Sequence, residues 1–307
     1  VLKRPARKAR RATEDPRGEI VDPLTDFLKD EASSGVFLLA ATVIALVWAN
    51  SPASEAYDSL WETTLTVGAG DFALSDDLRH WVNDGLMAVF FFVVGLEIKR
   101  EMVTGELNSR AAAMRRSGVA HPLAYVPLAL AIWVATYESG VHATIAGVAL
   151  GLMTPARPVG GREVLRELEH RIHPFTGFVI VPLFALANAG VALGGDALAD
   201  AASSRLTWAI VAGLVIGKLV GIAAATLVGL QAGVGELPEG MRVTQTWGVA
   251  ALGGIGFTVS LFIAQLAFDT PALQDQAKVG IFAGSLVSGL LGAGILIALS
   301  RPPTRPT

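Results

Sequence analysis

The amino-acid sequence predicts an all-α polytopic integral membrane protein with about eight spans, and three observations carry that prediction. Of 307 residues, 52% are hydrophobic and only 17% charged, and the mean hydropathy is +0.52. A soluble domain carries about 25% charged residues. The apolar residues collect in long blocks rather than in amphipathic stripes, and the Lys and Arg residues crowd onto alternate connections between the blocks.

The blocks are Ala32–Ala49, Trp81–Leu96, Gly118–Thr136, Val141–Met153, Phe175–Leu193, Trp208–Leu230, Thr246–Phe268 and Val279–Leu299. About twenty apolar residues cross the hydrocarbon core, so most blocks suffice. Val141–Met153 is short for a span and Trp81–Leu96 is marginal. Eight Lys and Arg residues precede the first block, five lie between the second and third, four between the fourth and fifth, one in 231–245 and two in the tail. The opposite side holds Arg79, Arg205 and Lys278 alone. By the positive-inside rule both termini are expected in the cytoplasm. Three parts follow: a basic arm with an interfacial helix over 1–31, a transmembrane domain over 32–299, and a tail over 300–307.

Residues 1–21 are charged, proline-containing and read as disordered. Leu24, Phe27 and Leu28 follow i, i+3, i+4 spacing among acids and a lysine, which predicts a short interfacial helix feeding the first span. That span follows too long a polar lead for a signal peptide and reads as uncleaved. Leu65, Val67, Phe72 and Leu74 alternate around Gly68-Ala69-Gly70, compatible with an outer β-hairpin or an irregular loop. In Gly160–Pro174, Val164, Leu165, Leu168 and Ile172 share one helical face. That predicts an amphipathic segment along the membrane surface.

Gly253, Gly254 and Gly256 sit at the centre of the seventh block. Each glycine weakens a helix by about 1 kcal/mol relative to alanine. The cluster reads as a helix break, with a helix–helix contact as the alternative. Helix ends at mid-membrane offer partial charges to an ion. Lys218 lies in the middle of the sixth block, where an ammonium group costs about 2.5–3.5 kcal/mol on insertion scales, so it marks a functional site by default. No apolar run offers it an obvious acidic partner. Asp84 is the acid clearly inside a run, near the outer end of the second block and four residues after His80. It reads as a helix-end carboxylate reaching water or a backbone amide, with ion binding as the alternative. Glu97 and Glu101 share a helical face at i, i+4 beside Lys99 and Arg100, as a solvated cluster or an ion-entry site. His142 opens the fourth block as a capping or packing residue, or as a sensor. Glu169, His170 and His173 suggest a metal site only weakly, since two histidines at i, i+3 are weak evidence for one. The chain has no cysteine, which excludes disulfides and thiolate chemistry. No cofactor fingerprint, nucleophile–base pair or nucleic-acid motif occurs, so neither an enzyme nor a nucleic-acid binder is expected.

Several stretches resemble the NhaA-type sodium/proton antiporters. Trp81-Val82-Asn83-Asp84-Gly85-Leu86-Met87-Ala88-Val89-Phe90-Phe91, running to Gly95-Leu96-Glu97-Ile98-Lys99-Arg100-Glu101, is similar to that family's second helix. Ser139-Gly140-Val141-His142-Ala143-Thr144-Ile145-Ala146-Gly147 resembles the start of its eighth, and Leu168-Glu169-His170-Arg171-Ile172-His173-Pro174 with Pro182-Leu183-Phe184-Ala185-Leu186-Ala187-Asn188-Ala189-Gly190 its ninth. Gly217-Lys218 falls in the tenth, and Gly253-Gly254-Ile255-Gly256-Phe257-Thr258-Val259-Ser260-Leu261-Phe262-Ile263-Ala264 resembles the broken eleventh.

The resemblance implies an inverted-repeat antiporter fold in the inner membrane, export of Na⁺ in exchange for H⁺ (with Li⁺ as a further possible ion), and pH and sodium homeostasis. It implies no cofactor and no metal beyond the transported ion. It implies a pH-response region at Glu97, Glu101, Glu169, His170 and His173, a lysine beside the ion site at Lys218, and a homodimer through the outer hairpin. One departure is large. The family has about twelve helices, and a block equivalent to its third to sixth is missing, joined near Ala111–Arg116. In the family that block carries a threonine–aspartate pair and two adjacent aspartates, the ion site. Asp76-Asp77 are adjacent but lie in a polar outer loop and do not take that role. The expectation is therefore a family member of doubtful transport competence. The alternatives are a non-transporting structural or interaction protein, or a sequence with an internal stretch omitted.

Overall fold

A computed structural model describes residues 18–69, 72–104, 126–158, 162–238 and 240–300, with side chains of the first helix from residue 33 onward. The junction expected at Ala111–Arg116 and positions 1–17 of the disorder expected over 1–21 lie outside the described residues; residues 18–21 are helical rather than disordered. Helix α1 (Gly18–Ala49) is followed by the short α2 (Ser54–Trp61), bent by 117° from it. The expected separate interfacial helix is instead continuous with the first span. No proline or glycine cluster interrupts residues 24–35, so nothing in the sequence terminates the helix there.

Strands β1 (Thr64–Ala69) and β2 (Phe72–Asp77) form the hairpin that the alternation permitted, paired antiparallel with Thr64 opposite Asp77 and Val67 opposite Leu74. Asp77 then caps the next helix by accepting a hydrogen bond from the His80 N–H at 2.6 Å. Helix α3 (Leu78–Val103) runs 26 residues, longer than the apolar block alone, and passes through a π-turn over Trp81–Leu86. Helices α4 (Val126–Glu138) and α5 (Thr144–Met153) are short and apolar.

Helix α6 (Val164–Asn188) corrects the expected surface segment. The amphipathic stretch is the first half of one 25-residue helix, and Val164 and Leu165 are buried rather than laid against lipid. Pro174 lies inside it and cannot donate to the carbonyl four residues back; a π-turn over Thr176–Ile180 follows directly. After α7 (Gly195–Ser203), helix α8 (Arg205–Gln231) contains a third π-turn at Gly213–Gly217, ending immediately before Lys218. The break is real: α9 (Gln245–Leu252) and α10 (Phe257–Ala267) meet at a 44° bend across Gly253–Gly256. Helix α11 (Pro271–Ser300) closes the described chain.

Among the described residues, four helices are long and apolar enough to cross a membrane, or up to six if each bent pair counts as one span. Two approaches hold the bundle. Helix α5 packs on α3 so closely that a Cβ at Gly147 would overlap the Ala88 carbonyl oxygen, and one at Gly151 the Phe92 carbonyl oxygen. Such small-residue contacts let backbones meet where lipid supplies no hydrophobic drive. Elsewhere α11 packs against both α8 and α9, and Ile180, Phe184, Leu261, Phe262 and Ile281 form the buried centre.

Candidate functional site

The break in the seventh block draws α8 and α11 against its backbone. The Gly253 N–H still bonds the Val249 carbonyl at 3.0 Å, but the Gly254 and Ile255 N–H groups reach only three residues back, to Ala251 and Leu252 at 2.9 Å. The helix tightens and stops. A Cβ at Gly254 would stand 2.5 Å from the Leu214 carbonyl oxygen and overlap Ser288 Oγ, so only glycine admits this approach. The Gly256 N–H donates to Ser285 Oγ at 3.3 Å, and α10 starts with no side-chain cap. A Cβ at Gly256 would lie 3.3 Å from Lys218 Nζ, which places the ammonium group at the gap between the two half-helices. Lys218 is half-buried and forms no ion pair among the described residues.

Asp84 does not join it. The π-turn at the N-terminal end of α3 leaves its side chain 14% exposed, 3.2 Å from His80 Nε2, while its backbone carbonyl accepts from Trp133 Nε1 at 2.9 Å. Trp81, Trp133 and Tyr137 stack beside the pair, and the Tyr137 hydroxyl bonds Asp76. The four-residue spacing of His80 and Asp84 is legible in the sequence; the aromatic wall from α4 is not.

Between the two regions lies a group the sequence reasoning missed. Asn83 of α3, Asn188 at the end of α6 and Gln265 of α10 form a closed set of amide hydrogen bonds. Asn83 Nδ2 donates to Gln265 Oε1 at 2.5 Å and to Asn188 Oδ1 at 3.3 Å, Asn188 Nδ2 donates back to Asn83 Oδ1 at 2.8 Å, and Gln265 Nε2 donates to Asn188 Oδ1. Asn188 is 1% exposed and also donates to the Phe184 carbonyl at 2.8 Å. Three polar side chains inside three apolar runs were the available signal. Gln265 stands nine residues after Gly256, about 13 Å along α10 at 1.5 Å per residue.

At the other end of α3 the expected pH-response residues partly assemble. Arg100 bonds both Glu169 of α6 and Glu101, the latter at 3.0 Å, and His173 Nε2 lies 3.8 Å from Glu97. The Glu169 side chain is 11% exposed and its second oxygen is buried without a hydrogen bond among the described residues. Continuity of α6 makes this possible, because Glu169 and His173 are one turn apart and face α3 together. His170 points away and is exposed. His142 is exposed at the start of α5, where its backbone carbonyl accepts the Ile145 N–H at 3.0 Å. No group of three or more metal-ligating side chains occurs among the described residues.

A profile of the family described as Na⁺/H⁺ antiporter 1 matches residues 25–114 and 110–296. Its two stretches meet where the sequence places the junction. The chain is 34% identical to Na(+)/H(+) antiporter NhaA 3 of Frankia alni, over 92% of this chain and 90% of that protein. It is 33% identical to Na(+)/H(+) antiporter NhaA 1 of Erythrobacter litoralis, over 95% of this chain and 97% of that protein. The first of these alignments runs over 416 residues, more than the 307 this chain contains, so the relative carries stretches with no counterpart here.

Proposed function

This chain belongs to the Na⁺/H⁺ antiporter family, multi-pass inner-membrane proteins that exchange ions and are not enzymes, and from that premise we propose that it is a shortened member. It keeps the family's lysine, broken helix and cytoplasmic charge cluster, and does not by itself swap Na⁺ for H⁺. The observation that carries this reading is Lys218 at the gap between α9 and α10 with no carboxylate paired to it among the described residues. Exchange needs acids that alternately hold a proton or a desolvated cation, because the two ions must compete for the same oxygens. Asp84 is paired instead with His80, and no ion pair joins it to Lys218 among the described residues.

The finer reading follows the sequence. Eight spans place both termini in the cytoplasm, with 1–31 as arm, 32–299 as membrane domain and 300–307 as tail, and one inverted repeat is incomplete. Glu97, Glu101, Glu169 and His173 with Arg100 form the pH-responsive cluster. The outer hairpin is the surface for a homodimer. Na⁺ and H⁺, with Li⁺ as a further cation, are ions of the complete architecture.

The test is a proton-gradient assay in everted vesicles at alkaline pH. The 307-residue chain is expected to give no Na⁺-dependent collapse, and a version carrying the additional block from the Frankia alni relative is expected to give it. Robust exchange by the short chain, abolished by Lys218→Ala, overturns the proposal.

A further inference from the structure

One cavity among the described residues has no part in the site above. It measures about 390 Å³ and opens at the surface between α8, α9 and the loop joining them. Ile222, Leu230, Val249 and Met241 supply apolar walls, and Glu236 is the single charged side chain in its lining among the described residues. Cavities of about 300–1,000 Å³ are the size class that encloses a ligand. Helix α9 is eight residues long, about 12 Å, so the cavity lies between the 231–245 loop and the helix break rather than at the gap itself.

We propose that this cavity is a phospholipid site, selective for a headgroup bearing a primary ammonium, with one acyl chain lodged between α8 and α9. Depth and charge both favour this occupant. The charge distribution puts the 231–245 loop at the cytoplasmic membrane surface, where headgroups sit, and the walls descend from it along helices with lipid-exposed neighbours such as Val228 and Trp247. A lone carboxylate at the rim of an apolar cavity suits a cationic group tethered to an apolar body. It repels a phosphate that carries no compensating ammonium. Glu236 is exposed, with no ion pair among the described residues, so it is free to take up such a group. The proposal depends on the membrane setting alone; presence or absence of ion exchange does not bear on it.

The test uses the full chain, purified and delipidated in detergent, with phosphatidylethanolamine or phosphatidylglycerol added and lipid retention read by native mass spectrometry. Phosphatidylethanolamine is expected to be retained about tenfold better, the scale of one charge-assisted hydrogen bond. Glu236→Gln, an exposed change that leaves the packing intact, is expected to erase the preference. Gly229 lines the cavity, and a Cβ added there meets nothing within 4 Å. Gly229→Phe therefore fills the space and is expected to abolish retention of the first lipid equivalent. Equal retention of the two lipids by the parent chain, or undiminished retention by Gly229→Phe with unchanged helical content, overturns the proposal.

Discussion

Asn188 carries more hydrogen bonds than any other side chain of the bundle interior described here, joining three helices through one amide. Removing one member of a buried polar set leaves its partners unsatisfied, at about 1–3 kcal/mol. Asn188→Leu is expected to destabilise the bundle by that amount in denaturant unfolding. Asn83→Leu is expected to cost less, because Asn188 and Gln265 still satisfy each other. A double-mutant cycle between positions 83 and 188 should give clear non-additivity; simple addition of the two effects would contradict the shared network. Arg100→Ala strands the Glu169 carboxylate at a largely buried position. Because Arg100 itself is 42% exposed, solvent screens much of the interaction, and the expected loss is about 1–2 kcal/mol. Arg100→Lys should recover part of it, read by the same unfolding assay.

At the scale of elements, the close approach of α3 and α5 is the sharpest constraint. Gly147→Val forces a side chain into the Ala88 backbone and is expected to destabilise by about 1–3 kcal/mol. Gly221→Ala in α8 meets nothing within 4 Å and is expected to be neutral or mildly stabilising. Equal thermal shifts for the two would refute a backbone-to-backbone contact. The same elements mark what can be read without coordinates. Three glycines in four residues announced the α9–α10 break, and the alternation of Leu65, Val67, Phe72 and Leu74 allowed the hairpin, because both signals are local. The continuity of α6 was not legible. Pro174 ordinarily ends a helix, and here the helix runs on through a π-turn directly after it. The amide set was hidden for another reason: Asn83, Asn188 and Gln265 lie in separate runs, and only tertiary packing reveals that they meet. Lys218 was legible as a cost, but its seat beside Gly256 depends on how α8 crosses the break.

For the whole molecule, orientation is the prediction most open to direct measurement. The chain has no cysteine, so single cysteines can be introduced without background. An impermeant thiol reagent is expected to label Ser75→Cys in the hairpin on intact cells, and Gln231→Cys only after permeabilisation. The opposite pattern would invert the topology read from the Lys and Arg distribution.

Ten residues of α helix rise about 15 Å, half the thickness of a bilayer interior. On its own such a peg has no preferred level in the membrane and could drift toward either leaflet. Fastened backbone to backbone along Gly147 and Gly151, α5 rides as a passenger on its 26-residue neighbour. Any tilt or piston stroke of the longer rod is then handed on undamped, and the height of His142 above the lipid becomes a gauge of where α3 stands.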